Sequence, residues 1–149
     1  AARTGFALLT PLITLTMHTE GAEGRAGART EVWVRETARD HIPYLTPQSP
    51  RSVLALLEEH AGVRCRSMHQ SAEAAALDEA CSKLFGVPEG SPALVVTRTY
   101  LDRRPVPLIH AVETRPAGVR ACETVFLRST AARTAEHEGS PASEPIPTD

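Results

Sequence analysis

The fold is decided by the stretch from Leu77 to Arg115, LDEACSKLFGVPEGSPALVVTRTYLDRRPVPLIHAVETR. Leu77, Ala80, Cys81 and Leu84 recur at helical spacing, so one side of a short helix is apolar. Gly86 follows, at the position where a left-handed stop favours glycine. Val87 to Pro92 cannot continue a helix, because prolines interrupt it, and it reads as a turn. Ala93 to Leu101 is rich in β-formers and Pro107 to Arg115 answers it, with the polar loop Asp102-Arg103-Arg104-Pro105 between. The stretch therefore predicts helix, turn and two-strand hairpin.

Working outward, the upstream chain repeats this grammar. Ile13, Leu15 and Met17 alternate with Thr14, Thr16 and His18, the period of a half-buried strand opened by Pro11. Glu20 to Arg29 is rich in Gly and Ala and reads as a flexible loop. Thr30 to Ala38 returns as a strand, with Glu31, Trp33 and Arg35 on one face and Val32, Val34 and Glu36 on the other, ended by Asp40-His41-Ile42-Pro43. Ser49 and Pro50 open a helix whose stripe is Val53, Leu56, Leu57 and Ala61, and Gly62 stops it. Val63 to Ser71 alternates as a further strand, and Val119 to Leu127 is a last one. Pro11-Leu12-Ile13 and Pro107-Leu108-Ile109 echo each other, and each half offers a hairpin plus a helix. From Ser129 the chain is poor in large apolar residues and cannot offset its ordering entropy, so 129–149 is expected to be a disordered tail after a domain spanning 1–128.

Composition narrows the function. The 149 residues suffice for one domain with a real core, and a hydrophobic share of 42% is ordinary for such a domain. A net charge of −2, with Lys83 the only lysine, argues against a nucleic-acid surface on this chain. Cys65, Cys81 and Cys122 are odd in number and lack CxxC spacing, which points to reduced thiols in a cytoplasmic protein rather than disulfides or zinc. No apolar run is long enough to span a membrane, and no signal-peptide pattern opens the chain.

No catalytic signature of nucleophile elbow, zinc protease or phosphate-loop type is present, and the six histidines show no metal-ligand spacing, so neither a metal nor another cofactor is expected. Arg35 and Arg98, on predicted strands, are either salt-bridged strand residues or forks for a carboxylate or phosphate. Glu113 and Arg115 share one strand face, as an ion pair or as the polar lining of a ligand site. His110 falls on the opposite face, as a satisfied core histidine or a proton-transfer group.

The run Leu84 to Leu94 (LFGVPEGSPAL), then Arg98-Thr99-Tyr100 and Arg104-Pro105-Val106, resembles the UTRA domain. This is the effector-sensing domain of GntR-type transcription regulators of the HutC subfamily, and it shares its fold with chorismate lyase. Ser52 to Val63 looks like the central helix of that family, and the similarity runs from about Pro11 to Phe126. Nothing before Phe6 in this sequence could form the winged helix of such regulators, so the likeness is to the sensor alone.

The resemblance implies an α+β fold: an antiparallel sheet of about six strands, internally pseudo-duplicated, with its helices packed on one side. It extends the strand after Val63 through Ala72 to Ala76, where propensity alone reads helix. It further implies a small-molecule effector, a homodimer, and ligand contacts from Arg35, Arg98, Glu113, Arg115 and Thr16. Leu15 and Met17 stand where sugar-phosphate sensors carry arginines, and Ile109 where an acidic residue is usual, so a more apolar ligand is expected. The alternative is a standalone lyase-like enzyme acting on a biosynthetic metabolite. Val34-Arg35-Glu36 is similar to the arginine-bearing strand of chorismate lyase and Glu113 lies near its acidic position, so Glu113, Arg35 and His110 would be catalytic.

Overall fold

The computed structural model describes residues 5–44 and 53–118. Five strands form one antiparallel sheet in these residues: β1 (Leu12–Glu20), β2 (Ala26–Arg35), β3 (Ser67–Ala76), β4 (Pro92–Leu101) and β5 (Pro107–Pro116), ordered β1-β2-β5-β4-β3. The hairpins β1–β2 and β4–β5 therefore meet at β2 and β5. The sixth strand expected at Val119 to Leu127, the 129–149 tail and the predicted cap at Ser49 and Pro50 lie outside the described residues.

Register sorts the side chains, because directly opposed residues in an antiparallel sheet share a face. Ile13, Val34, Ile109, Tyr100 and Met68 form one row across all five strands, and Leu15, Val32, Ala111, Arg98 and Gln70 form the next. The echoing motifs thus deliver Ile13 and Ile109 to either side of Val34. This face carries the larger core: Val32, Val34, Ile109 and Ala111 with Ala38, Val53 and Leu57. Val53 and Leu57 come from α1 (Val53–His60), whose stripe was legible, and Ala38 from a 3₁₀ helix, Glu36–Tyr44. We call this the α1 face.

The opposite face is covered at one end by α2 (Glu79–Phe85). Leu77, Cys81, Phe85 and Ala93 make its smaller core, and Arg29 on this face reaches the Cys81 sulfur at 3.7 Å. The helices lie on both faces and not on one side as expected from the sequence, because Leu77, Cys81 and Phe85 pack against Ala93 on the face opposite Val53 and Leu57.

The ends of α2 follow local chemistry. Asp78 caps it, its Oδ1 accepting from Cys81 N at 2.8 Å, so the helix starts after Leu77 rather than at it. The buried side is Cys81, Ser82 and Phe85 with Leu77 packed from outside, while Ala80, part of the predicted stripe, is exposed. Gly86 closes it at φ +65°, and a Cβ there would press on Arg25 at 3.0 Å.

Three further boundaries moved. β2 begins at Ala26, inside the stretch read as a flexible loop. Gly27 explains this: its backbone passes so close to Gly21 that a Cβ would sit 3.1 Å from the Gly21 Cα, so glycine here permits a tight hairpin beside the irregularity at Thr19/Glu20. At its other end β2 stops at Arg35, and Asp40 to Pro43 belong to the 3₁₀ helix instead of marking a strand end. β3 starts at Ser67, later than Val63, and runs to Ala76 as the family resemblance required. It is an edge strand, exposed at nearly every position, so its alanines have no core to join as a helix.

Val34 is 1% exposed at the centre of the larger core. Val34→Ala is expected to lower unfolding free energy by about 2 kcal/mol, the usual scale for removing buried methyl groups. Urea denaturation should show a lower midpoint with an unchanged slope. Gly86→Ala should cost about 1 kcal/mol for its left-handed backbone, measured in the same way.

Candidate functional site

On the α1 face, strands β3, β4 and β5 align a chain of polar groups. Arg98 Nε donates to Gln70 Oε1 at 2.8 Å, and Arg98 Nη1 donates to Glu113 Oε2 at 2.9 Å. Arg115 Nε donates to the other oxygen of the same carboxylate. Glu113 is 9% exposed, and burial alone would raise its pKa. The hydrogen bonds and charges of Arg115 and Arg98 outweigh that penalty and hold the carboxyl below its ordinary range. A carboxylate so gripped stays ionised and cannot serve as a proton donor near neutral pH.

On the α2 face lie the other sequence-predicted residues. His110 is 3% exposed and burial lowers its pKa, so the ring is neutral at pH 7. Its Nδ1 lies 2.9 Å from Thr99 Oγ1, and Trp33 tilts against it with ring centroids 5.5 Å apart. Thr16 is exposed on the edge strand β1, opposite Glu31. Arg29 Nη2 donates to Glu31 Oε1 at 2.8 Å, and burial raises the pKa of the neighbouring Cys81 thiol, which stays protonated.

Arg35, at the end of β2, is half-buried. Its Nε is buried and has no hydrogen-bond partner among the described residues. Its positive charge reaches Asp102 in the β4–β5 loop. That carboxyl is held low first by a hydrogen bond from Val106 N–H, against a smaller opposing effect of burial; the Arg104 amide and the charges of Arg104 and Arg35 add to the lowering.

The arrangement thus unites Arg98, Glu113 and Arg115, and separates them from Arg35, His110 and Thr16 by the thickness of the sheet. Glu113, Arg35 and His110 do not converge, so the geometry makes no acid–base trio of them. Sequence reasoning missed Gln70, Thr99 and Trp33 as partners. For Gln70 the strand alternation gave its face but not its neighbour; for Trp33 the signal was its place between Glu31 and Arg35 on one strand face. No group of three or more potential metal ligands occurs among the described residues. No helix among them is long and apolar enough to cross a membrane.

The grip on Glu113 has a pH signature. A carboxyl whose folded pKa is depressed contributes stability that is complete above its unfolded value, near 4.5, and is lost as pH falls through the folded value. Melting temperature followed from pH 7 downward should therefore fall more steeply below pH 4.5 in the native chain than in Glu113→Gln. Parallel acid limbs would show that the ion cluster contributes nothing.

The model of the UTRA domain family matches residues 29–115, more than half of the chain. No curated protein matches it in sequence. Among solved structures, the chain is similar to the ligand-binding domain of a putative GntR-family transcriptional regulator from Bordetella bronchiseptica, at TM-score 0.61 and 18% identity, covering 78% of this chain and 72% of that one. It is also similar to the effector domain of PhnF from Mycobacterium smegmatis, at TM-score 0.66 and 14% identity, covering 85% and 75%. Against a longer structure of PhnF the TM-score is 0.68 at 13% identity, and the chain spans 55% of that protein. At these identities the structural likeness shows the fold, and the family rests on the matched model: the chain belongs to the UTRA domain family.

Proposed function

We propose that the chain is the effector-sensing part of a GntR-type transcription regulator of the HutC subfamily. It binds a small metabolite without transforming it, acts as a homodimer, and works in the cytoplasm. The observation that carries this reading is the UTRA match over residues 29–115, which spans β3, β4 and most of β2 and β5, the strands that carry both polar clusters. The effector acts by preferring one of two arrangements of the regulator, and the size of that preference bounds the response.

The lyase-like alternative is weaker for a geometric reason. It needs Glu113, Arg35 and His110 around one substrate, and these residues occupy opposite faces. Glu113 is in addition saturated by two arginines.

A thermal-shift panel of carboxylates, sugar phosphates and amino-acid derivatives tests the reading. At a hundred times its dissociation constant, a true effector stabilises the fold by about 2.7 kcal/mol through mass action. It is then recovered chemically unchanged by chromatography. Steady consumption of the stabilising compound would overturn the non-catalytic reading, and a panel without any stabilising compound would overturn the sensor reading.

A further inference from the structure

We propose that the Arg35 end of the α2 face is a subsite for a small planar monocarboxylate, its carboxylate on the Arg35 guanidinium and its ring against Trp33. The inference rests on the sensor reading and specifies the ligand chemistry. It starts from an imbalance: the Arg35 Nε is buried away from water without an acceptor among the described residues. A buried cationic N–H without a partner is costly, and an incoming anion removes that cost. The other arginines of this kind on the sheet are engaged. Arg29 holds Glu31, while Arg98 and Arg115 hold Glu113.

The neighbours select the ligand. Trp33 lies two residues before Arg35 on the same strand, so the two side chains share a face at a separation of roughly 7 Å. Trp33 is half-buried with His110 tilted against it, which fixes its ring while leaving part of it open. Thr14, opposite Trp33 on the edge strand β1, is exposed. A side-on carboxylate engages Nε and one Nη together, the planar match that guanidinium favours. A doubly charged phosphate is a poorer fit. Asp102 stands close enough to feel the Arg35 charge and opposes a dianion more strongly than a monoanion, and His110 is neutral. The apolar contact with Trp33 then favours a ring or another flat hydrocarbon body over a sugar.

Trp33 is the only tryptophan of the chain, so its indole N–H gives one NMR signal that reports on this place alone. The experiment titrates the chain with benzoate and, separately, with its neutral isostere benzamide. Benzoate at up to tens of millimolar should shift the indole signal saturably, and benzamide should bind at least tenfold more weakly. Arg35→Gln should weaken benzoate at least tenfold. Arg35→Lys, which keeps the charge but loses the fork, should weaken it severalfold. Lys83→Gln, at an exposed position of α2, should leave it within twofold.

Equal binding of benzoate and benzamide would overturn the subsite, as would an unmoved indole signal or an Arg35→Gln variant that binds like the native chain. A ligand-free melting temperature that falls sharply in both Arg35 variants, with no benzoate response in the native chain, would also overturn it, by showing that Arg35 serves the fold. If other metabolites stabilise the chain without moving the indole signal, the sensor reading stands and this subsite alone fails.

Discussion

The pairing of β2 with β5 is the constraint on which everything else rests. It joins two hairpins into one sheet and sets Val32 against Ala111 and Val34 against Ile109. With side chains alternating across a strand, that register decides which residues face α1 and which face α2. A slip by one residue would bury Glu31 or Trp33 where Val32 and Val34 now make the core. The apolar alternation of β2 therefore fixes the position of every polar group discussed above, including those that never touch the core.

The two faces then take different chemistry. On the α1 face, polar residues occur beyond the limits of the α1 core, and they are consumed by one another: Gln70, Arg98, Glu113 and Arg115 satisfy their hydrogen bonds across three strands. In such a cluster the gains in Coulomb energy are offset by the desolvation of the charges. On the α2 face, α2 covers one end only, and Trp33, His110 and Arg35 lie toward the other. The Arg35 Nε, without a hydrogen-bond partner among the described residues, sits on this face.

Much of this was legible in the sequence, and the failures have physical causes. The alternation of Glu31, Trp33 and Arg35 against Val32 and Val34 gave the faces of β2 correctly, and His110 was rightly set opposite Glu113. Gly86 and Gly62 marked helix ends because a left-handed residue there excludes most side chains. Gly27 was misread as loop because composition cannot reveal that two backbones pass in contact. Ala72 to Ala76 has the propensity of a helix, and only pairing with Pro92 to Val96 makes it a strand. The ion cluster was half visible: Glu113 and Arg115 follow from spacing along one strand, whereas Arg98 and Gln70 join them through cross-strand register, which no local pattern encodes. For the same reason the proposed catalytic trio looked plausible in one dimension and dissolves in three.

The account stands or falls on the β2–β5 register, and NMR reads it directly. Cross-strand contacts between backbone protons should link Val32 with Ala111 and Val34 with Ile109, with Trp33 opposite His110. Contacts displaced by one residue, so that Val32 lies opposite His110 or Val112, would contradict it, because Glu113 would then stand on the face assigned here to Trp33 and Arg35.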